Sequence, residues 1–368
     1  MRRTKFKNHN RWPLNNFQKL LSGEVLLLLA GLFLCLPQAH AQTTEEDLSE
    51  RARNAEDKNF ISVSIENDSI GGGTDQFYTS GVRLTYFNVN TAVPDIIDDM
   101  ADVIPTFDLN TTTSTFFTLG QNIYTPENIR LRANQNDDRP WAAFLYGSVG
   151  LLSIENNHID ELELTLGVVG PEALGEQSQK LIHRHLSNSP IPKGWSNQLN
   201  FEPGVILSAQ RRWPRLLYQD FGGYRLRAVP NINASLGNIY TYAGTGVTFT
   251  FGPYYQGSVQ DTPPRVRPAM PGSGYFETPI TLSGMGWGWH AFAGADVRLV
   301  GRNIFLDGNS FESSHSVDKK PLVGDVSAGF ALTYDRYRLS YAINARSKEF
   351  DGQDGKSVFG SLTLSTRF

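Results

Sequence analysis

Ser357-Val358-Phe359-Gly360-Ser361-Leu362-Thr363-Leu364-Ser365-Thr366-Arg367-Phe368 is the stretch on which the fold reading turns. Counting back by twos from Phe368 gives Thr366, Leu364, Leu362, Gly360 and Val358. Arg367, Ser365, Thr363 and Ser361 stand between them. A period of two puts one set on each face of a strand. One face suits lipid, the other a polar interior, and the last residue is aromatic. The pattern predicts the final strand of a transmembrane barrel, of the kind presented to the barrel-assembly machinery.

The same period recurs upstream. It predicts strands near 60–68, 80–90, 115–124, 141–154, 158–169, 195–210, 222–234, 236–252, 286–299, 321–334, 336–347 and 356–368. Twelve is an even number, as in most bacterial barrels. Trp287, Trp289, Tyr254, Tyr255, Tyr334 and Tyr337 are candidates for interfacial aromatic girdles. Residues 256–279, rich in Pro and Gly, are expected to form a long external loop. The fold class is therefore all-β: an antiparallel transmembrane β-barrel over 58–368, preceded by a polar segment, 42–57.

The other end of the sequence fits this compartment. Residues 1–24 carry six basic side chains against Glu24, and the apolar run Val25 to Leu36 follows. The run ends at Pro37-Gln38-Ala39-His40-Ala41. A basic region, a short apolar core and an Ala-x-Ala end predict a secretory signal peptide, 1–41. Twelve residues rise only about 18 Å as a helix, too little for a hydrocarbon core of about 30 Å. The chain has one cysteine, Cys35, inside that run. Beyond residue 41 there is neither a disulfide nor a thiolate metal site. Removing this segment's six basic and one acidic residues from 33 Lys+Arg and 37 Asp+Glu leaves a net charge of −9, which argues against nucleic acid as a partner.

Residues 171–186, Pro-Glu-Ala-Leu-Gly-Glu-Gln-Ser-Gln-Lys-Leu-Ile-His-Arg-His-Leu, depart from the strand pattern. They predict a short extracellular helix with Pro171 in its first turn. Glu172, Glu176, Gln179 and His183 share one face at spacings of four, three and four. Leu174, Leu181, Ile182 and Leu186 fall elsewhere. His185 lies about 200° round from His183, off the polar face. A helix with a His-bearing polar stripe between barrel strands points to chemistry.

A second polar cluster sits between the first two strands. It comprises Glu66-Asn67-Asp68 and, after three glycines, Thr74-Asp75-Gln76-Phe77-Tyr78-Thr79-Ser80-Gly81. Asn, Asp and Gly favour tight turns. Their oxygens also suit a hard cation such as calcium, with Asp68 and Asp75 as candidate ligands.

These segments resemble the LpxR family of outer-membrane lipid A 3′-O-deacylases. The further segments that carry the resemblance are Gly120-Gln121-Asn122-Ile123-Tyr124-Thr125-Pro126, Asp138-Arg139-Pro140-Trp141-Ala142 and Gly167-Val168-Val169-Gly170-Pro171. Gln179-Lys180-Leu181-Ile182-His183, Gly194-Trp195-Ser196-Asn197-Gln198-Leu199 and Phe201-Glu202-Pro203 complete the series, in order. The resemblance implies a twelve-stranded barrel in the bacterial outer membrane. Its active site would lie between the outer wall and an extracellular helix. The activity would be calcium-dependent hydrolysis of the ester of the 3′-linked acyloxyacyl group of lipid A in lipopolysaccharide, among outer-membrane lipids. His183 matches the active-site histidine, Asn67 and Asp68 the Asn-Asp pair, and Gln179 a glutamine one turn earlier. Thr79 lies at an active-site hydroxyl position for which Ser80 competes. Arg130 and Arg132 are candidates for phosphate recognition. His183 would act as general base toward water. Asp68 suits either calcium binding or orientation of the catalytic group, and Asn67 suits donation to developing charge. The alternatives are an outer-membrane phospholipase A-like hydrolase, for which no convincing Ser–His–Asn set is present, and a non-catalytic channel.

Overall fold

Alternation along the strands builds the architecture. In the computed structural model, residues 59–71, 77–88, 113–154, 158–185, 189–214, 216–253 and 287–368 are described. The strands are β1 (Asn59–Asn67), β2 (Phe77–Asn88), β3 (Ser114–Thr125), β4 (Ala142–Ile154), β5 (Ile159–Val169), β6 (Glu202–Arg212), β7 (Leu217–Phe221), β8 (Tyr224–Gly237), β9 (Tyr240–Pro253), β10 (Trp287–Asn303), β11 (Leu322–Tyr334), β12 (Tyr337–Arg346) and β13 (Ser357–Arg367). Apart from β6 and β7, neighbours in sequence pair antiparallel, β1 pairs β13, and β6 pairs β8. The sheet is therefore a closed barrel.

Thirteen segments make twelve staves. β6 pairs β8 down to Arg212↔Asn231, and β7 resumes on the same strand at Leu217↔Ala228. Pro230 lies opposite the break. Its carbonyl accepts from Trp213 N at 3.1 Å, but it has no N–H to return. β6 and β7 are one stave interrupted where the ladder loses a donor. The expected strand 195–210 begins instead at Glu202, because Trp195–Asn197 forms a 3-10 turn.

Outward residues are apolar. Leu119, Leu84, Val63, Leu364, Leu339, Leu332 and Trp289 are successive register partners across seven strands. Each is at least 39% exposed. An apolar band wrapped round more than half of a barrel is a lipid-facing surface. Between them, Ser62, Ser64, Arg83, Thr85, Thr118 and Thr363 point inward and are buried. No helix of the described residues is long and apolar enough to cross a membrane, so the crossing is made by strands.

Both ends of the described barrel sequence, Asn59 and Phe368, pair at one rim, with Asn59 N donating to Phe368 O at 3.2 Å. Near that rim Trp287 packs against Tyr334 in a tilted arrangement with centroids 4.7 Å apart, and Tyr224, Phe251 and Trp289 cluster. Of the six candidate girdle residues, Trp287, Trp289, Tyr334 and its register partner Tyr337 lie near this rim, while Tyr254 and Tyr255 lie outside the described residues. So does the expected external loop, 256–279. Strand direction puts its anchors, Pro253 and Trp287, at the terminal rim.

The opposite mouth is packed. The short helix α3 (Ile304–Asp307) follows β10, capped by Asn303, whose side chain accepts from Phe305 N. Phe305 stacks on Tyr124 of β3 at 4.1 Å and meets Tyr240 of β9 at 5.4 Å. The Tyr124 and Tyr240 hydroxyls are 2.8 Å apart, a hydrogen bond between strands from opposite sides of the barrel. Beside them Asp325 binds Arg298 and Arg346. Arg346 also reaches Glu349 at 3.4 Å, and Arg139 reaches Glu349 at 3.3 Å.

Candidate functional site

The site forms on the outer wall near this packed mouth. After β5, a 3-10 turn (Pro171–Ala173) leads through Leu174, at φ 59°, into α2 (Gly175–His185). Leu174 O accepts the first helical bond, from Ser178 N at 3.0 Å. The expected helix over 171–186 is thus two pieces. Glu172 drops off the predicted stripe because it belongs to the 3-10 turn and is exposed. Glu176 pairs with Lys180 one turn on. The buried stripe is Gly175, Gln179 and His183, spaced by four. His183 is buried and His185 exposed.

Close packing holds α2 to β3 and β4. A Cβ on Gly175 would stand 2.4 Å from Ala143 Cβ and 2.6 Å from the Trp195 ring, so only glycine lets the helix seat this deeply. Ile123, Ile129, Trp141, Ala143, Ala173 and Trp195 form the apolar clamp, with the two indoles 5.2 Å apart. Gln121 Nε2 donates to Ala173 O at 2.6 Å.

Polar contacts orient the two helix residues. His183 Nδ1 is 2.7 Å from Pro190 O. A carbonyl only accepts, so Nδ1 carries the proton and, in the neutral ring, Nε2 is the basic nitrogen. Trp195 Nε1 donates to Gln179 Oε1 at 2.8 Å.

The Asn-Asp segment lies on the same wall. Asn67 ends β1, half-buried, and Asp68 opens the one-turn helix α1 (Asp68–Gly71), buried. Asn67, Ser80, Ile123 and Ala143 are successive register partners, and the last two belong to the clamp under α2. Thr79 sits in a β-bulge, since Tyr78 pairs Tyr124 and Ser80 pairs Ile123. The bulge re-aims its side chain. Its hydroxyl lies 2.6 Å from that of Thr125, and its carbonyl accepts from Asn67 Nδ2 at 2.9 Å. That bond fixes the sense of the Asn67 amide, with Nδ2 toward Thr79. Asp75 lies outside the described residues. Among the described residues no group of three or more His, Cys, Asp or Glu side chains is arranged to hold a metal.

Arg130 and Arg132 are exposed in the β3–β4 connection. Lys193 N donates to Ile129 O at 2.9 Å and Asn197 Nδ2 to Arg132 O at 2.7 Å. These bonds bring the exposed Lys193 beside the arginines. Arg139 has a structural place instead, wholly buried over Tyr124 and Phe350. Sequence reading missed Thr125, the Pro190 carbonyl and the role of Trp195, which it placed in a strand. The run Pro190-Ile191-Pro192-Lys193-Gly194 was the signal against that strand.

Comparison with known proteins gives consistent matches. The family model described as "Outer membrane protein LpxR" matches residues 26–368. The solved structure of LpxR from Salmonella typhimurium superposes with a TM-score of 0.66 at 21% identity, covering 84% of this chain and all of that one. The β domain of the Bordetella autotransporter BrkA matches at TM-score 0.39 and 9% identity, over 84% of this chain and 98% of that one. The translocator domain of the autotransporter NalP from Neisseria meningitidis matches at TM-score 0.32 and 8% identity, over 96% and 97%. No curated protein matches the chain in sequence.

Proposed function

The chain belongs to the LpxR family and is an integral outer-membrane protein, and on that premise we propose that it hydrolyses the ester of the 3′-linked acyloxyacyl group of lipid A. The observation that carries this reading is the buried His183, held in one tautomer by Pro190 O on a helix clamped to the outside of the barrel. A histidine there meets substrate from the lipid side, not from the lumen. Acyl chains remain in hydrocarbon while the ester reaches polar groups near the rim.

His183 Nε2 takes a proton from water as the water oxygen attacks the ester carbonyl. The same proton is then delivered to the departing sugar oxygen. Asn67 Oδ1 and Asp68, with Asp75, are the oxygen ligands proposed for calcium. Bound there, the ion would polarise the ester carbonyl. Arg130 and Arg132, joined by Lys193, are proposed to meet lipid A phosphates. A channel is the poorer reading, because Tyr124, Tyr240 and Phe305 bridge the lumen.

The test is incubation of the refolded protein with lipid A or with phospholipid, read by mass spectrometry, beside a planar-bilayer recording. Loss of the 3′ acyloxyacyl group supports the proposal. Acyl release from phospholipid alone would make the protein a phospholipase. Conductance without hydrolysis would make it a channel.

A further inference from the structure

The sense of the Gln179 amide is set by Trp195. An indole N–H donates and cannot accept, so the atom 2.8 Å from Trp195 Nε1 is the amide oxygen. Nε2, with both hydrogens, is directed elsewhere. Gln179 is 2% exposed, and its Nε2 is buried without a hydrogen-bond partner among the described residues. Nearly all buried donors in folded proteins are satisfied, and leaving one unmade is costly. Such a donor one helical turn before the histidine is suited to a ligand oxygen that arrives with substrate.

Trp195 is itself immobilised. It is 1% exposed and packed against Trp141. Gly175 and Gly194 leave no space around the pair, since a Cβ on either would lie within 2.6 Å of an indole. The indole cannot swing away and let the amide turn over.

We infer that Gln179 Nε2–H is a donor to the oxyanion, and that Trp195 is the positioning residue that fixes the amide in that sense. This rests on the ester-hydrolase reading above. Water oxygen bonds to the acyl carbon, the carbonyl π pair moves onto oxygen, and that oxygen accepts from Nε2–H. The proton passes from water to His183. Collapse of the intermediate breaks the bond from acyl carbon to sugar oxygen. The sugar oxygen takes the proton, leaving a hydroxyl and a carboxylic acid. No further reactant is needed.

Two substitutions test the inference, each alone and then together. Trp195→Phe keeps the ring packing and removes the N–H. Gln179→Glu keeps the shape and turns an acceptor toward the oxyanion. Gln179→Glu should lower kcat by about 10²–10³-fold with little change in KM, the loss typical of one oxyanion donor. Its residual rate, relative to wild type at the same pH, should rise as pH falls and the carboxyl becomes a donor. Trp195→Phe should lower kcat about tenfold, as the amide samples both senses, with heat-modifiable migration retained. In the double variant the two losses should not multiply. Wild-type kcat in either folded single variant, or fully multiplicative losses, overturns the inference. Wild-type protein run alongside separates the readings. If it is inactive on lipid A, the hydrolase reading fails. If it is active while both variants are unimpaired, only the role of this pair fails.

Discussion

The two faces of the barrel wall near the mouth use the same residue types for opposite ends. On the inner face, Tyr124, Tyr240 and Phe305 fill the mouth, and Arg298, Asp325, Arg346, Glu349 and Arg139 form a continuous chain of buried ion pairs. Every charge there has a protein partner, as burial demands. On the outer face, Trp141 and Trp195 are equally buried, and Trp195 Nε1 is spent on orienting the neutral amide of Gln179, whose Nε2 has no hydrogen-bond partner among the described residues, as is also true of Arg139 Nε on the inner face. Aromatic packing closes the inside; outside, it holds Trp195 Nε1 against Gln179 Oε1. This contrast fits the proposed reading, in which substrate comes from the leaflet.

The largest expected effect breaks the outer face alone. His183→Ala should lower lipid A hydrolysis by about 10²–10⁴-fold, the usual worth of a general base. The barrel should still insert, since strand pairing does not involve this ring. His185→Ala, on the exposed side of α2, should leave the rate near wild type. Mass spectrometry of lipid A from cells expressing each variant measures both. Retained deacylation by folded His183→Ala would sink the assignment.

Phe305→Ala attacks the inner face. Truncating a buried Phe typically costs about 3–5 kcal/mol. The temperature of heat-modified migration should fall and bilayer conductance should appear, with hydrolysis retained below the transition. If a folded Phe305→Ala protein loses hydrolysis, the two faces are not independent.

Calcium sharpens the contrast, because its proposed ligands Asn67, Asp68 and Asp75 belong to the outer site. Chelation should reduce hydrolysis by about 10²-fold, comparable to losing one electrostatic stabiliser. The migration temperature should hardly move. Full activity after exhaustive chelation removes the ion from the proposal.

The smallest effect distinguishes Thr79 from Ser80. Thr79→Ala loses the bond to Thr125, worth about 1 kcal/mol or roughly fivefold in rate if that geometry serves the transition state. Ser80→Ala should cost less if Thr79 is the hydroxyl that matters. Steady-state rates of the pair give the order, and a larger loss at Ser80 reverses the choice.

Period-two alternation is a local property, so the strands, their even number and the lipid-facing set could be read from Val63, Leu84, Leu119 and Leu364 in the sequence. Helical spacing likewise separated His183 from His185, because 3.6 residues per turn fixes which neighbours share a face. The boundaries of that helix were less legible. Leu174 adopts a left-handed conformation for which its sequence gives no sign, and this detached Glu172 from the stripe. The break between β6 and β7 depends on Pro230 facing it across the ladder, a relation that exists only once register is set. Trp195 alternates as a strand residue would, yet the tertiary fold made it a donor to Gln179 by bringing residues 195 and 179 onto one wall. Sequence by itself determined which residues face lipid, which face the lumen and which side of α2 carries the imidazole, because each follows from a repeat within one element. Only the tertiary structure decided the plug, the tautomer of His183 and the sense of the Gln179 amide, because each depends on a hydrogen bond or ring contact between segments that local periodicity does not relate.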